Sequence, residues 1–261
     1  MTSDLLTPAE CVPAVSRRDA LRRAGLAFGA IAALPVLGAG KASAQTAPNP
    51  NDTVSILNFA LTLEYLDGLF YERGLATPNL IPANDRDFWT QLVANEQGHR
   101  AALSSRIRQL GGTPVSFTFE NFNYQALGFD PFSSYELFAD LSQGFEDLGQ
   151  RAYKGQAPQP AIMMNDVVLT EALQIHSVEA RHASVIRRIR GREGWITLNQ
   201  TDAPIPAAIY AGDENLTQGS VNVGTLAVTP LTIDAATRSE AFDEPLTADQ
   251  VLAIARPFIR S

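Results

Sequence analysis

The chain is 261 residues long and 45% hydrophobic, with 20 basic and 28 acidic residues and a net charge of −8. That length accommodates one well-buried domain plus an appendage. The acidic balance argues against nucleic acid or an anionic membrane surface as a partner.

Residues 1–44 read as a leader. Arg17-Arg18 and Leu21 precede an apolar run from Ala24 to Gly40, which Ala42-Ser43-Ala44 closes. A charged start, an apolar middle and an A-x-A site make a cleavable export signal, cut after Ala44. The arginine pair resembles a twin-arginine signal, which implies a periplasmic or secreted protein exported in the folded state. The alternative is an anchor that is never cut, but the run is short for a span and Pro35 interrupts it. Without the leader the chain has 15 basic and 25 acidic residues, a net charge of −10, and has lost Cys11, its only cysteine. Any metal site must then use Glu, Asp and His, a donor set that suits iron or manganese. No later apolar run is long enough to cross a bilayer. Residues 45–52, rich in Pro and Asn, read as a linker.

A first helix is expected from Thr53 to about Arg73, where Leu57, Leu61, Glu64, Gly68 and Tyr71 form a helical stripe. Gly74 and Pro78 are its stop signals. A second runs from about Asp85 to Leu110, with a stripe of Trp89, Leu92, Glu96, His99, Leu103, Ile107 and Leu110, and Gly111-Gly112 ends it. The 22 residues from Gly111 to Phe132 carry Pro114, Gly128, Pro131 and alternating aromatics. They can cross roughly 70 Å, more than the roughly 39 Å of the preceding helix, so the connection can travel the length of a bundle. A third helix begins near Ser133 or Ser134 and ends near Lys154, with Phe138, Ser142, Phe145/Glu146, Gly149 and Tyr153 as its stripe. A fourth spans Ala161 to Arg190, with Met164, Val168, Glu171, Ile175, Val178/Glu179, His182, Ile186 and Ile189 inward. The fold class is all-α: a four-helix bundle over residues 53–191 with a short first link, a long crossover and a short last link. Residues 192–261 read as an irregular tail packing on the bundle, ending in a short helix opened by the capping box Thr247-Ala248-Asp249-Gln250. Its acidic residues Asp213, Glu214, Asp243 and Glu244 are expected to be solvated or capping.

Two stretches carry the chemistry. Glu96-Gln97-Gly98-His99 and Glu179-Ala180-Arg181-His182 each place a carboxylate and an imidazole three apart, on one face of a helix and on its core stripe. Glu64 with Leu66 and Tyr71 repeats as Glu146 with Leu148 and Tyr153, and the distance to the next Glu-x-x-His is 32 residues in one half and 33 in the other. The bundle is therefore two helix hairpins, each supplying Glu … Glu-x-x-His. Four buried carboxylates would repel one another unless cations lie between them. Two divalent ions balance four Glu, and Glu96 and Glu179 are the natural bridges. The bland alternative is a metal-free buried hydrogen-bond network. His176, one position off the stripe, is either a partly exposed histidine, a helper of the site or an alternative ligand. Tyr71 and Tyr153 are either packed core residues or tune the carboxylates.

These motifs resemble those of the ferritin-like di-iron/di-manganese carboxylate superfamily over roughly residues 53–191. The leader and the Glu240-Ala241-Phe242-Asp243-Glu244-Pro245 stretch narrow the resemblance to exported bacterial ferritin-like domain proteins related to plant desiccation-associated proteins. That resemblance implies Glu64, Glu96, His99, Glu146, Glu179 and His182 as ligands of two Fe or Mn ions. It also implies redox chemistry on a small molecule (dioxygen, peroxide or Fe²⁺), with a manganese-catalase-like activity as one form. It leaves a homo-oligomer open. The alternative is a non-enzymatic stress or desiccation protein whose metal site or polar core is structural.

Overall fold

The computed structural model describes residues 46–260 except 203 and 228–231; the expected leader lies outside the described residues. Four long helices form the core: α1 (Thr53–Ala76), α2 (Arg86–Gln109), α3 (Tyr135–Gln156) and, after the single turn α4 (Pro160–Met163), α5 (Asp166–Ile189). Asp52, Ser134 and Asn165 cap α1, α3 and α5 by accepting hydrogen bonds from Val54, Leu137 and Val168 amides, which satisfies amides that the helix leaves free. The helices pair as two hairpins, α1 with α2 and α3 with α5, joined through contact of α1 with α3. Tyr153 of α3 reaches Glu64 and Tyr71 of α1 reaches Ser142, so α1 and α3 run antiparallel. Among the described residues no helix is long and apolar enough to cross a membrane.

Three expected boundaries shift, each for a local reason. Gly74 does not stop α1, which runs on to Ala76. A Cβ at Gly74 would sit 2.3 Å from the Phe138 ring, so this glycine admits α3 rather than ending a helix. Gly155 likewise lies inside α3, where a Cβ would lie 1.9 Å from the Leu246 carbonyl of the tail. The fourth helix is broken at Met164-Asn165: Asn165 turns its side chain onto the next turn, and Met164, expected in the core, is 88% exposed.

The crossover is anchored at its start by Asn58, whose side chain accepts from the Val115 amide and donates to the Thr113 carbonyl. Its aromatics converge on Phe70, where Tyr124 and Phe132 lie 5.1 and 5.0 Å away between ring centres. The C-terminus returns to the same place, with Phe122 bridging Ile259.

The tail holds a two-stranded ribbon (β1 Thr217–Gln218, β2 Val221–Asn222) and two short helices, α6 (Ala235–Ser239) and α7 (Ala248–Ala255). α7 opens with the expected capping box. The tail covers the outer side of α3, which is why that helix is buried nearly all round. Arg151 is fully buried there, donating to the Glu244, Ala211 and Ile209 carbonyls and pairing with Asp213 at 3.1 Å. Of the acidic tail residues expected to be solvated or capping, Asp213 is instead buried and Asp243 is half-buried. Asp213 is 1% exposed and accepts the Glu244 amide, and Asp243 accepts from Gln150. Nearby, Asp147 accepts from Arg187 and from the tail's Tyr210.

Candidate metal centre

Each of the four long helices sends side chains of the repeated motif to one interior point. The carboxylates of Glu64, Glu96, Glu146 and Glu179 are 0–3% exposed. His99 Nδ1 lies 2.9 Å from Glu179, 3.2 Å from Glu64 and 3.5 Å from Glu96. His182 Nδ1 mirrors it, 3.2 Å from Glu96, 3.3 Å from Glu146 and 3.8 Å from Glu179. Donor atoms fall into two overlapping quartets: Glu64, Glu96, His99 and Glu179, and Glu96, Glu146, Glu179 and His182. Within each quartet they lie within 4.8 Å of one another. Glu96 and Glu179 belong to both, the placement that a pair of bridging carboxylates requires.

The donor set fits a pair of cations. Both oxygens of Glu96 and of Glu146, one of Glu179, and His182 Nδ1 are buried without a hydrogen-bond partner. Unpaired carboxylate oxygens in a dry interior are costly, and hard cations bound by oxygen and imidazole satisfy all of them at once. In the cation-free protein the histidines carry part of that load. Burial opposes protonation of both rings, but the surrounding carboxylates outweigh it: His182 is pushed up to about 12, chiefly by Glu146, and His99 is raised by Glu179, Glu64 and Glu96. Burial and then the Glu96 charge lift Glu64 to about 7. Burial also raises Glu146, although the His182 charge opposes it. Burial and Glu64 push Glu179 upward, yet its contacts with His182 and His99 leave it below the usual carboxylate range.

Around the six lie residues that fix their geometry. Tyr153 donates to Glu64 across the α1–α3 contact at 2.5 Å, while Tyr71, from the other helix, reaches the Ser142 carbonyl, one turn before Glu146. Both tyrosines therefore cross to the opposite hairpin, and Tyr153 meets a carboxylate there. Asn95 meets His182 Nε2 at 3.0 Å. Its amide nitrogen faces Nε2 while its oxygen accepts from Gln91; turning the amide over would present oxygen to an Nε2–H, the tautomer that frees Nδ1 for a cation. His176 stands apart, half-buried, with Nδ1 3.0 Å from the Gln150 carbonyl, and Glu171 pairs with Arg106. On the histidine side a cleft of about 400 Å³ opens between α2 and α5, lined by Asn95, Gly98, His99, Val178, Arg181 and His182.

Asp67 and Asn95 escaped the sequence reading. Asp67 is 6% exposed and feels the charges of all four glutamates. Its signal was present: Glu64-x-x-Asp67 has the same spacing as Glu-x-x-His. Asn95 precedes Glu96 and carried no signal of its own.

No curated protein matches this chain. Among solved structures, the crystal structure of ferritin-like, diiron-carboxylate proteins from Bacillus anthracis str. Ames is similar. It is 19% identical, with 52% of this chain and 93% of that chain covered and a TM-score of 0.44. The model of the ferritin-like domain family matches residues 52–192, the stretch that holds all four long helices and every motif residue above. The chain belongs to the ferritin-like domain family.

Proposed function

We propose that this chain is an exported di-metal carboxylate protein carrying iron or manganese, whose reaction is redox chemistry on dioxygen, peroxide or Fe²⁺. The observation that carries the reading is the pair of overlapping quartets sharing Glu96 and Glu179, with buried oxygens that have no hydrogen-bond partner among the described residues. Glu64 and His99 would complete one cation position, Glu146 and His182 the other. Bound there, two such ions would supply electron exchange with a small oxidant or with Fe²⁺. The protein's own groups hold Glu64 in place through Tyr153, orient His182 through Asn95, and admit small molecules by the cleft on the histidine side.

Export rests on the leader of residues 1–44, and a twin-arginine route would carry a folded, metal-loaded protein to the periplasm or beyond. The leader and the tail stretch at Glu240–Pro245 support a place among the exported proteins related to plant desiccation proteins.

The test is to isolate the chain with the metal it acquires in the cell, count metals by elemental analysis, and assay ferroxidase, oxidase and peroxide disproportionation. Close to two Fe or Mn per chain with turnover in one assay is expected; less than about one, with no metal-dependent turnover, refutes the proposal. Rapid peroxide breakdown by a manganese-loaded sample would place the activity with the manganese catalases.

A second reading has its own observation. Each imidazole already touches three carboxylates, so the cluster can act as a purely structural ion network in a stress protein. Under that reading the double substitution Glu96→Ala, Glu179→Ala lowers thermal stability, and no turnover exists to lose.

A further inference from the structure

The internal repeat predicts that the two cation positions are alike. Glu64 matches Glu146, Glu96 matches Glu179, His99 matches His182 and Tyr71 matches Tyr153. Among the buried positions where the match fails, one lies beside the carboxylates. Asp67, three residues after Glu64, corresponds to Gly149, three after Glu146. A Cβ at Gly149 would lie 3.8 Å from Asp67 Oδ2 and 3.9 Å from Glu179 Oε2, at ordinary contact distance. One hairpin thus supplies a fifth carboxyl to the centre, and the other supplies a residue with no side chain beside it.

The antiparallel packing says which position that carboxyl favours. Glu64 lies level with Tyr153 and Tyr71 lies level with Ser142, so Glu146, one turn from Ser142, falls between these two levels. Moving along α1 from Glu64 to Tyr71 therefore moves from the first quartet towards the second. Asp67 is on that path and buried. Asp67 itself belongs to neither quartet.

We propose that Asp67 is a positioning carboxyl that makes the two cation positions inequivalent, favouring the one formed by Glu96, Glu146, Glu179 and His182. It acts from just outside the ligand set, as a buried carboxyl on the α1 side that Gly149 does not match on the α3 side. This rests on the two-metal reading of the site.

The experiment is calorimetric titration of the cation-free full chain with Mn²⁺. The wild type is expected to bind two ions in two separated steps. Asp67→Asn and Asp67→Gly are expected to weaken the tighter step by about 10–100-fold, the usual effect of losing a group behind a ligand, and so bring the steps together. The exchange Asp67→Gly with Gly149→Asp moves the carboxyl to the opposite side and is expected to separate them again, a rescue that general loosening of the fold cannot produce. Glu146→Gln should remove the tighter step and Glu64→Gln the weaker one. Two steps in the wild type that stay equally separated in both Asp67 variants overturn the inference, as do two indistinguishable steps in the wild type. No binding of Mn²⁺ by the wild type overturns the two-metal reading itself and the inference with it. Melting temperatures of the cation-free variants identify any that has not folded, and the isosteric Asn variant decides where the Gly variant fails.

Discussion

Replacing Glu146 by Gln separates a metal centre from a structural ion network, because the two assign the same side chain opposite effects on stability. Glu146 is fully buried, both its oxygens lack a hydrogen-bond partner, and burial holds its pKa well above the usual range. In the cation-free protein the neutral isostere replaces a carboxyl that burial, with the Glu179 and Glu96 charges, already pushes towards its neutral form. His182 loses one contact but keeps Glu96 at 3.2 Å and Glu179 at 3.8 Å. The expected effect on the cation-free melting temperature is nil or a small rise. In the loaded protein the balance reverses. A ligand at 100 times its dissociation constant stabilises the native state by about 2.7 kcal/mol, so two cations give about 5 kcal/mol. For a domain of this size that is roughly 10–20 °C in melting temperature. Glu146 belongs to one quartet only, so its loss should remove about half of that shift, roughly 5–10 °C. Scanning calorimetry with and without Mn²⁺ or Fe²⁺ reads both numbers. A cation-free variant destabilised by about 2 kcal/mol or more, with no cation-dependent shift to halve, would refute the reasoning and identify a structural network.

Three other outcomes follow from the same geometry. Both imidazoles are held protonated at neutral pH by their carboxylates, whereas cation ligation needs a free Nδ1. Loading should therefore release about two protons or more, and affinity should fall as pH falls; titration calorimetry in buffers of different ionisation heat measures it, and zero proton uptake by the buffer would contradict it. Gly98 has open space where a Cβ would stand, so Gly98→Trp should change stability by under about 0.5 kcal/mol while slowing cation uptake through the cleft in stopped-flow measurements; unchanged uptake would move the entry route elsewhere. Arg151→Met strands buried Asp213 and three carbonyls, and should cost about 3–5 kcal/mol in chemical denaturation, with the tail becoming the first site of limited proteolysis.

Much of this molecule is legible in its sequence because the bundle and the site obey one periodicity. A Glu-x-x-His on a core stripe specifies the helix, its inward face and the convergence point together, and the duplicate specifies the partner. What stayed hidden lies where that periodicity stops informing. Asp67 sits on the inward face of α1 but has no acidic counterpart in the second hairpin, so a reading by repeats passes over it. The outer face of α3, with Gln143, Asp147, Gln150 and Arg151, has the polarity of a solvated surface, and only the folded tail shows that it is interior. Asp213 and Asp243 read as solvated or capping for the same reason, since Arg151 and Gln150, which reach them from α3, lie more than sixty residues away in the chain. Gly74 resembled a stop signal because a glycine that ends a helix and one that admits a neighbour look alike in one dimension.

The grip of Arg151 on the tail changes what counts as the smallest self-sufficient piece of this protein. Family likeness runs from residue 52 to residue 192, yet a chain cut there would leave Arg151 without its carbonyls, Asp147 without the Tyr210 hydroxyl and Gly155 facing nothing. The homologous segment and the autonomous folding unit therefore have different ends. Recombinant truncation at the family boundary should yield a molten or insoluble bundle, and a metal-binding failure in such a fragment would say nothing about the ligands.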